Sequence, residues 1–199
     1  MTLKRTAIAA IFAISLFSCA TKTQNTSKES SLNPVYVTNK IKVYPLSPDA
    51  IEKDIDCYQM FSGHFSFRKR EMDFAAPLCL LAEKDGIFIM MLSDFGVDAG
   101  SIRYDGKKIV VESNFFPTKM KFEYIILDLQ NAYYKADALK AHYEKAGLLF
   151  SEEIEGADTK IRTISDKKKI IEQITLSPDC IHIKNFLRNY EYTLSTIDY

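Results

Sequence analysis

The chain has no tryptophan, only seven glycines and three histidines in 199 residues, and no excess of either charge. Each shortage excludes something. Basic and acidic side chains are equal at 26 each, so nothing is left over to neutralise a run of phosphates, and no nucleic acid partner is expected. Scarce glycine argues against Gly-rich loops and repeat architectures. Gly96 and Gly100 bracket Val97-Asp98-Ala99 without phosphate-loop spacing. His64, His142 and His182 form no Ser-His-Asp, His-x-x-x-His or His-Glu-x-x-His pattern, so no catalytic residue is assigned. The cysteines include no Cys-x-x-Cys pair, so neither a metal nor another cofactor is expected. Beyond Cys19 the cysteines are Cys57, Cys79 and Cys180, an odd number, so at least one thiol stays unpaired. Cys79 lies in the apolar run Leu78 to Leu81 and reads as a buried thiol. A bridge from Cys57 stays open as an alternative in an oxidising compartment.

What the chain does have begins at its N-terminus. Lys4 and Arg5 precede an apolar stretch from Ala7 to Leu16, and Leu16-Phe17-Ser18-Cys19 reads as a lipobox. The stretch is too short to span a bilayer, which takes ~20 apolar residues. Residues 1–18 are therefore expected to be a lipoprotein signal peptide, with Cys19 the lipidated first residue of the mature chain. An ordinary cleaved signal and an uncleaved anchor are the alternatives. Ala20 in place of an aspartate favours the outer membrane, on its periplasmic face. Residues 19–34 are rich in Ser, Thr, Lys and Asn and read as a flexible tether. About 15 such residues have a root-mean-square reach of ~20 Å.

A single domain is expected over 35–199. Val35 to Tyr44 reads as extended, and Ser47-Pro48-Asp49 starts a short helix to about Cys57. Phe61, Gly63, Phe65 and Phe67 alternate with polar residues, the period of a strand. Asp85-Gly86 joins Leu78–Glu83 to Ile87–Ser93, and Asp105-Gly106 joins Ile102–Tyr104 to Lys108–Glu112, two hairpin signals. A two-residue loop in the second would set Ile102 opposite Ile109. The period then becomes helical through Phe122, Ile126, Leu129 and Tyr133, and again through Leu139, Tyr143 and Ala146 before Gly147, as two helices or one kinked helix joined near Lys135-Ala136-Asp137. Asp128 and Gln130 fall on the polar side of the first helix, as positioning residues. Four strands follow, over Thr159–Ser165, Lys169–Ser177, Cys180–Leu187 and Tyr190–Ile197.

The order strands, helices, strands predicts an α+β fold. A curved antiparallel sheet would form an incomplete, half-open β-barrel with the amphipathic helices as its lid. Phe65, Phe67, Leu80, Ile89, Met91, Ile109, Ile174, Leu176, Tyr192 and Leu194 make the apolar stripe of that sheet. They line either a closed core or a cavity for a hydrophobic ligand. Lys167-Lys168-Lys169 is a solvated turn or a contact for anionic headgroups.

Several stretches resemble an uncharacterised bacterial lipoprotein family that accompanies aryl-polyene and related fatty-acid-type biosynthesis enzymes. They are Phe95-Gly96, Ile102 to Gly106, Pro117, Tyr124 to Gln130 with Tyr133 and Tyr134, Asn185-Phe186, and Tyr190 to Leu194. Tyr134-Lys135 stands where that family usually has Trp-Pro. The family is similar in layout to the lipoprotein-localisation factors LolA and LolB. That resemblance implies an incomplete barrel with a helical lid over a cavity for acyl chains. It also implies a protruding apolar loop that enters the membrane, for which Phe95 and Val97 are the positional candidates. On sequence alone Phe95 could equally fold back onto the core.

The leading expectation is a membrane-anchored, non-enzymatic carrier for an acyl-chain, polyene or glycolipid ligand, with a periplasmic carrier protein as a second partner. The alternative is a structural or assembly lipoprotein with a closed core that binds a protein. An enzyme ranks third.

Overall fold

The computed structural model describes residues 27–67, 70–93, 95–113 and 121–197. Cys19 and the signal segment lie outside these residues, as does the side chain of Phe67.

Among the described residues eleven strands make one antiparallel sheet. Its first part comprises β1 (Ser27–Ser31), β4 (Ile55–Phe67), β5 (Arg70–Glu83), β6 (Gly86–Leu92), β7 (Asp98–Tyr104) and β8 (Lys108–Ser113). The second comprises β9 (Leu149–Glu155), β10 (Thr159–Asp166), β11 (Lys169–Leu176), β12 (Cys180–Asn185) and β13 (Tyr190–Thr196). The order across the sheet is β1-β8-β7-β6-β5-β4-β13-β12-β11-β10-β9, so β1 and β9 are its edges and it is not closed. A small separate ladder pairs β2 (Val35–Tyr36) with β3 (Lys42–Val43). Two helices, α1 (Phe122–Tyr133) and α2 (Ala136–Lys145), separate the two halves of the sheet.

The alternation along each strand decides which face is covered. On β6 Ile87 and Ile89 are buried, and Leu80 and Ala82 lie opposite them on β5. Ile102 and Tyr104 continue this face on β7, Ile109 and Val111 on β8, and Ile181, Ile183, Tyr192 and Leu194 on β12 and β13. These side chains pack with Ile126, Leu127 and Leu129 of α1 and Leu139 and Tyr143 of α2 in one core.

The strap from Leu32 to Leu46 covers part of the same face, burying Val35, Val37 and Val43 in the core. It is held by α1. The Gln130 amide accepts from the Leu46 N–H at 2.7 Å and donates to the Leu46 carbonyl at 2.8 Å. Tyr104 Oη donates to the same carbonyl at 2.8 Å.

Several expectations need correction. Ser47-Pro48-Asp49 gives only a single 3-10 turn, Pro48–Ala50, and the chain is already strand at Ile55. β4 and β5 grow into a hairpin of 13 and 14 residues because Phe65 and Met72 still pair across it. The second hairpin turns on four residues, Asp105 to Lys108, not two, with Tyr104 and Ile109 its closest ladder pair. Asp105 Oδ1 accepts from the backbone N–H groups of Lys107 and Lys108 at 2.9 Å each, and Gly106 adopts φ +85°. Ile102 therefore faces Val111 and Tyr104 faces Ile109. The shift is two residues, so every side chain keeps its face. Ser27–Ser31, expected in the tether, is an edge strand on β8. Cys57, Cys79 and Cys180 are all free and part-buried, so Cys57 makes no bridge.

The two helices fall where the period puts them. Tyr134 breaks them apart with an extended backbone and bridges to Ile51, and Gly147 follows α2 at φ +79°.

Candidate functional site

Leu80, Ile89, Ile109, Ile174, Tyr192 and Leu194 of the predicted stripe are sealed in the core. Phe65, Met91 and Leu176 are half-buried. These side chains share the inner face of the sheet, but most of them meet other side chains and not open space. The core faces of α1 and α2 fill part of that space, as expected of a helical cover, and sequence reasoning missed the strap valines that fill the rest.

The stripe opens where the β4–β5 hairpin runs on beyond its neighbours. Phe61, Phe65 and Phe74 lie there with Tyr190 and Tyr192. Phe61 stacks on Phe65 with centroids 6.3 Å apart and leans on Tyr192 at 5.1 Å. Phe65 leans on Tyr190 at 6.0 Å, and Phe74 on Phe61 at 5.9 Å. Met72, opposite Phe65, is 58% exposed. Gly63 makes the packing of these rings fit. A Cβ there would come within 2.7 Å of the Phe65 ring and 2.9 Å of the Phe61 ring.

Behind the aromatics lies a buried polar network that the helical period did not reveal. Asp128 and Gln130 are buried, not on a solvent face, because strap and sheet enclose α1 between them. Asp128 Oδ2 accepts from Tyr190 Oη at 2.7 Å and from Tyr192 Oη at 3.2 Å. Glu172, also buried, accepts from Asn131 Nδ2 and Asn185 Nδ2 at 2.9 Å each. Tyr143 Oη donates to Asn131 Oδ1 at 2.8 Å. A void of about 10 Å³ lies among Val35, Val37, Asp128, Tyr143 and Glu172, room for about one water. Gln130 binds the strap backbone and Tyr134 Oη, away from Asp128. The two are therefore positioning groups with separate partners. His142 does not join them, and its buried Nε2 has no hydrogen-bond partner.

Burial, and then the charge of Glu172, push the Asp128 carboxyl well above the ordinary carboxylate range, against the pull of the two tyrosines and Arg188. Burial likewise raises Glu172, against its two asparagine bonds. The folded protein thus holds these protons more tightly than the unfolded chain. The stability they supply is complete below the unfolded carboxylate pKa of about 4 and is lost as pH rises through the folded values. Asp128→Asn removes one ionisation and keeps the shape. Urea unfolding from about pH 4 to about pH 8 should show a smaller loss of stability in this variant than in the wild type. Equal losses would mean that Asp128 does not titrate in this way.

Arg188 closes this region from outside. Its guanidinium stacks 4.3 Å from the Tyr124 ring centroid and donates to Tyr124 Oη at 3.0 Å and to the Tyr36 carbonyl of the strap. The remaining histidines serve surface pairs. His64 Nδ1 lies 2.7 Å from Asp73, which raises its pKa, and His182 lies 3.6 Å from Glu191. Among the described residues no three His, Cys, Asp or Glu side chains are grouped to hold a metal ion, and no helix is long and apolar enough to cross a membrane.

The loop candidates stand clear of the core. Phe95 is 92% exposed and Val97 63%, on a turn closed by Gly96 N to Ser93 O and Val97 N to Ser93 Oγ. The Phe95 ring does not fold back.

No curated protein matches the sequence. Among solved structures, a LolA superfamily protein from Nitrosomonas europaea is similar at 8% identity with a TM-score of 0.35, over 76% of this chain and 88% of that one. A family described as a protein of unknown function (DUF3261) matches residues 62–198, from the middle of β4 past the end of β13, and the chain belongs to that family.

Proposed function

We propose that the protein is a lipoprotein, tethered through Cys19 to the periplasmic face of the outer membrane, that binds or carries a hydrophobic ligand and catalyses nothing. The ligand would be the acyl chain of a lipoprotein, or a polyene or glycolipid product, exchanged with a periplasmic carrier protein. In this reading the unclosed sheet is a half-barrel, and α1, α2 and the strap are its lid. One observation carries it: the apolar inner face does not end at the sealed core but continues onto the half-open surface of Phe61, Phe65, Phe74 and Met72. Aromatic rings and a flexible thioether suit an elongated apolar guest.

A fluorescent fatty-acid probe should bind the folded protein saturably. Phe65→Asp or Met91→Lys should weaken binding roughly tenfold or more, since an unpaired charge is placed where the chain would lie. Circular dichroism run alongside separates lost binding from lost fold. No saturable binding by the folded wild type would abandon the carrier reading.

A second reading, an assembly lipoprotein with a closed core, is favoured by the sealing of most of the stripe. Native mass spectrometry separates the two. Co-purified lipid supports the carrier, and a lipid-free mass with a bound protein supports the scaffold.

The Phe95–Val97 turn gives a further expectation. Replacing both residues with serine should change stability by no more than about 0.5 kcal/mol, as for exposed positions elsewhere. The same change should reduce binding to lipid vesicles if the turn enters the membrane. A large fall in melting temperature would instead make the turn part of the core.

A further inference from the structure

The sheet register fixes which turns share an end, because antiparallel strands send successive turns to opposite ends. Ser27 pairs with Glu112 at the end of β8, and Gly100 of β7 pairs with Ser113. The start of β1 therefore lies at the same end as the β6–β7 turn bearing Phe95 and Val97. The β12–β13 turn with half-exposed Phe186 lies at this end too, as does the β10–β11 turn with exposed Lys167 and Lys168. The charges divide the same way. The described turns at this end carry Lys167, Lys168 and Arg188. Those at the far end carry Asp85, Asp105, Asp158 and Asp179 against Lys84 and Lys107.

We infer that this end of the sheet rests on the bilayer, and that the bilayer surface it fits is anionic. The inference rests on the proposed lipidation of Cys19. From Cys19 to Ser27 the chain can extend at most ~28 Å, at ~3.5 Å per residue. The anchor thus joins the sheet at this end, where Ser27 lies. Phe95 and Val97 supply an apolar point that water does not favour, and Lys167, Lys168 and Lys169 supply cations for headgroups some strands away. Two contacts of different chemistry on one end define an orientation, where a single inserted turn would leave the domain free to swivel. The orientation also brings the opening beside Phe65 and Met72, on the hairpin that runs past β6 towards this end, close to the lipid.

The absence of tryptophan makes the test direct. Single variants Phe95→Trp and Phe186→Trp report the near end, and Asp158→Trp and Asp179→Trp the far end. The lipidated protein is reconstituted in phosphatidylglycerol-containing vesicles with brominated acyl chains. Near-end tryptophans should be quenched and blue-shifted, and far-end ones should not. Equal quenching at both ends, stronger quenching at the far end, or none at either end while the protein stays with the vesicles overturns the orientation. In the chain from Ala20 onward, which carries neither lipid nor signal segment, Lys168→Gln and Lys169→Gln should each weaken binding to anionic vesicles about fivefold. They should leave binding to phosphatidylcholine vesicles unchanged. Equal binding of wild type to both vesicle types overturns the anionic preference. Absence of palmitate on the wild-type protein refutes the anchor reading instead. Quenching of the tryptophans in vesicle-bound chain would still report which end meets lipid.

Discussion

Arg162→Met should lower the stability of the folded protein by about 3 kcal/mol or more, a fall in melting temperature on the order of 10 °C for a domain of this size. Arg162 is 1% exposed, on the inward-facing side of β10. Its Nε donates to Glu152 at 2.7 Å and one Nη2 hydrogen to Glu52 at 3.2 Å. Its Nη1 donates to the Asn131 and Ala132 carbonyls at 2.9 and 2.8 Å. Those carbonyls belong to the last turn of α1, which lacks donors of its own there and carries a partial negative charge. One side chain thus caps the helix and joins it to β9, β10 and the segment before β4. Methionine would fill much of the volume but leave two buried carbonyls and a part-buried carboxylate without their donor. Lysine should not rescue, since a single ammonium cannot present the planar fork that reaches four acceptors. Adding Glu152→Leu to Arg162→Met should recover part of the loss by removing the stranded charge. Thermal unfolding followed by circular dichroism measures all four proteins. A melting temperature within about 2 °C of wild type for Arg162→Met would show the network to be dispensable.

Cys19→Ala should abolish palmitate labelling altogether and leave the precursor unprocessed. The proposed lipidation rests on the N-terminal pattern of Lys4 and Arg5, the apolar stretch and Leu16 to Cys19. Each buried methylene of an acyl chain contributes about 0.8 kcal/mol, so more than one chain makes release from the bilayer negligible, whereas none leaves only the weak contacts of the protein surface. Fractionation should therefore move the variant from membrane to soluble material unless the uncleaved precursor stays inserted. Persistent labelling would rule out this cysteine as the lipid site.

How far the sequence could be read varies with how local the signal is. Asp-Gly turns and helical periods lie within a dozen residues, and both marked hairpins and both helices stand where they pointed. β9 was missed because only Phe150 of Leu149–Glu155 is sealed, and its glutamates hide the alternation. The first half of β5 was missed because Glu71 and Asp73 alternate with Met72 and Phe74, around rings that remain half-open. The buried network was out of reach for another reason. Asp128 meets Tyr190 and Tyr192, Gln130 meets Leu46, and Arg162 meets Glu52, partners far along the chain that no spacing connects. Polar residues on α1 pointed to solvent because most helices have a wet side, whereas this one is wrapped by the strap.

The seam between β4 and β13 sets a condition on how the molecule comes into being. Phe61 pairs with Leu194 and Gln59 with Thr196, so the middle of the sheet forms between the first long strand and the last described one. Loops of that length close slowly, and a topology built on them folds late. A chain emerging N-terminus first has β4 to β8 available long before β13 arrives. During that time β4 shows an unpaired edge with Phe61 and Phe65 beside it. The two halves of the sheet cannot join until the final seven-residue strand, Tyr190–Thr196, has been delivered. If the proposed signal segment takes the chain across a membrane unfolded, this arrangement helps, since the two halves of the sheet stay apart until β13 is present.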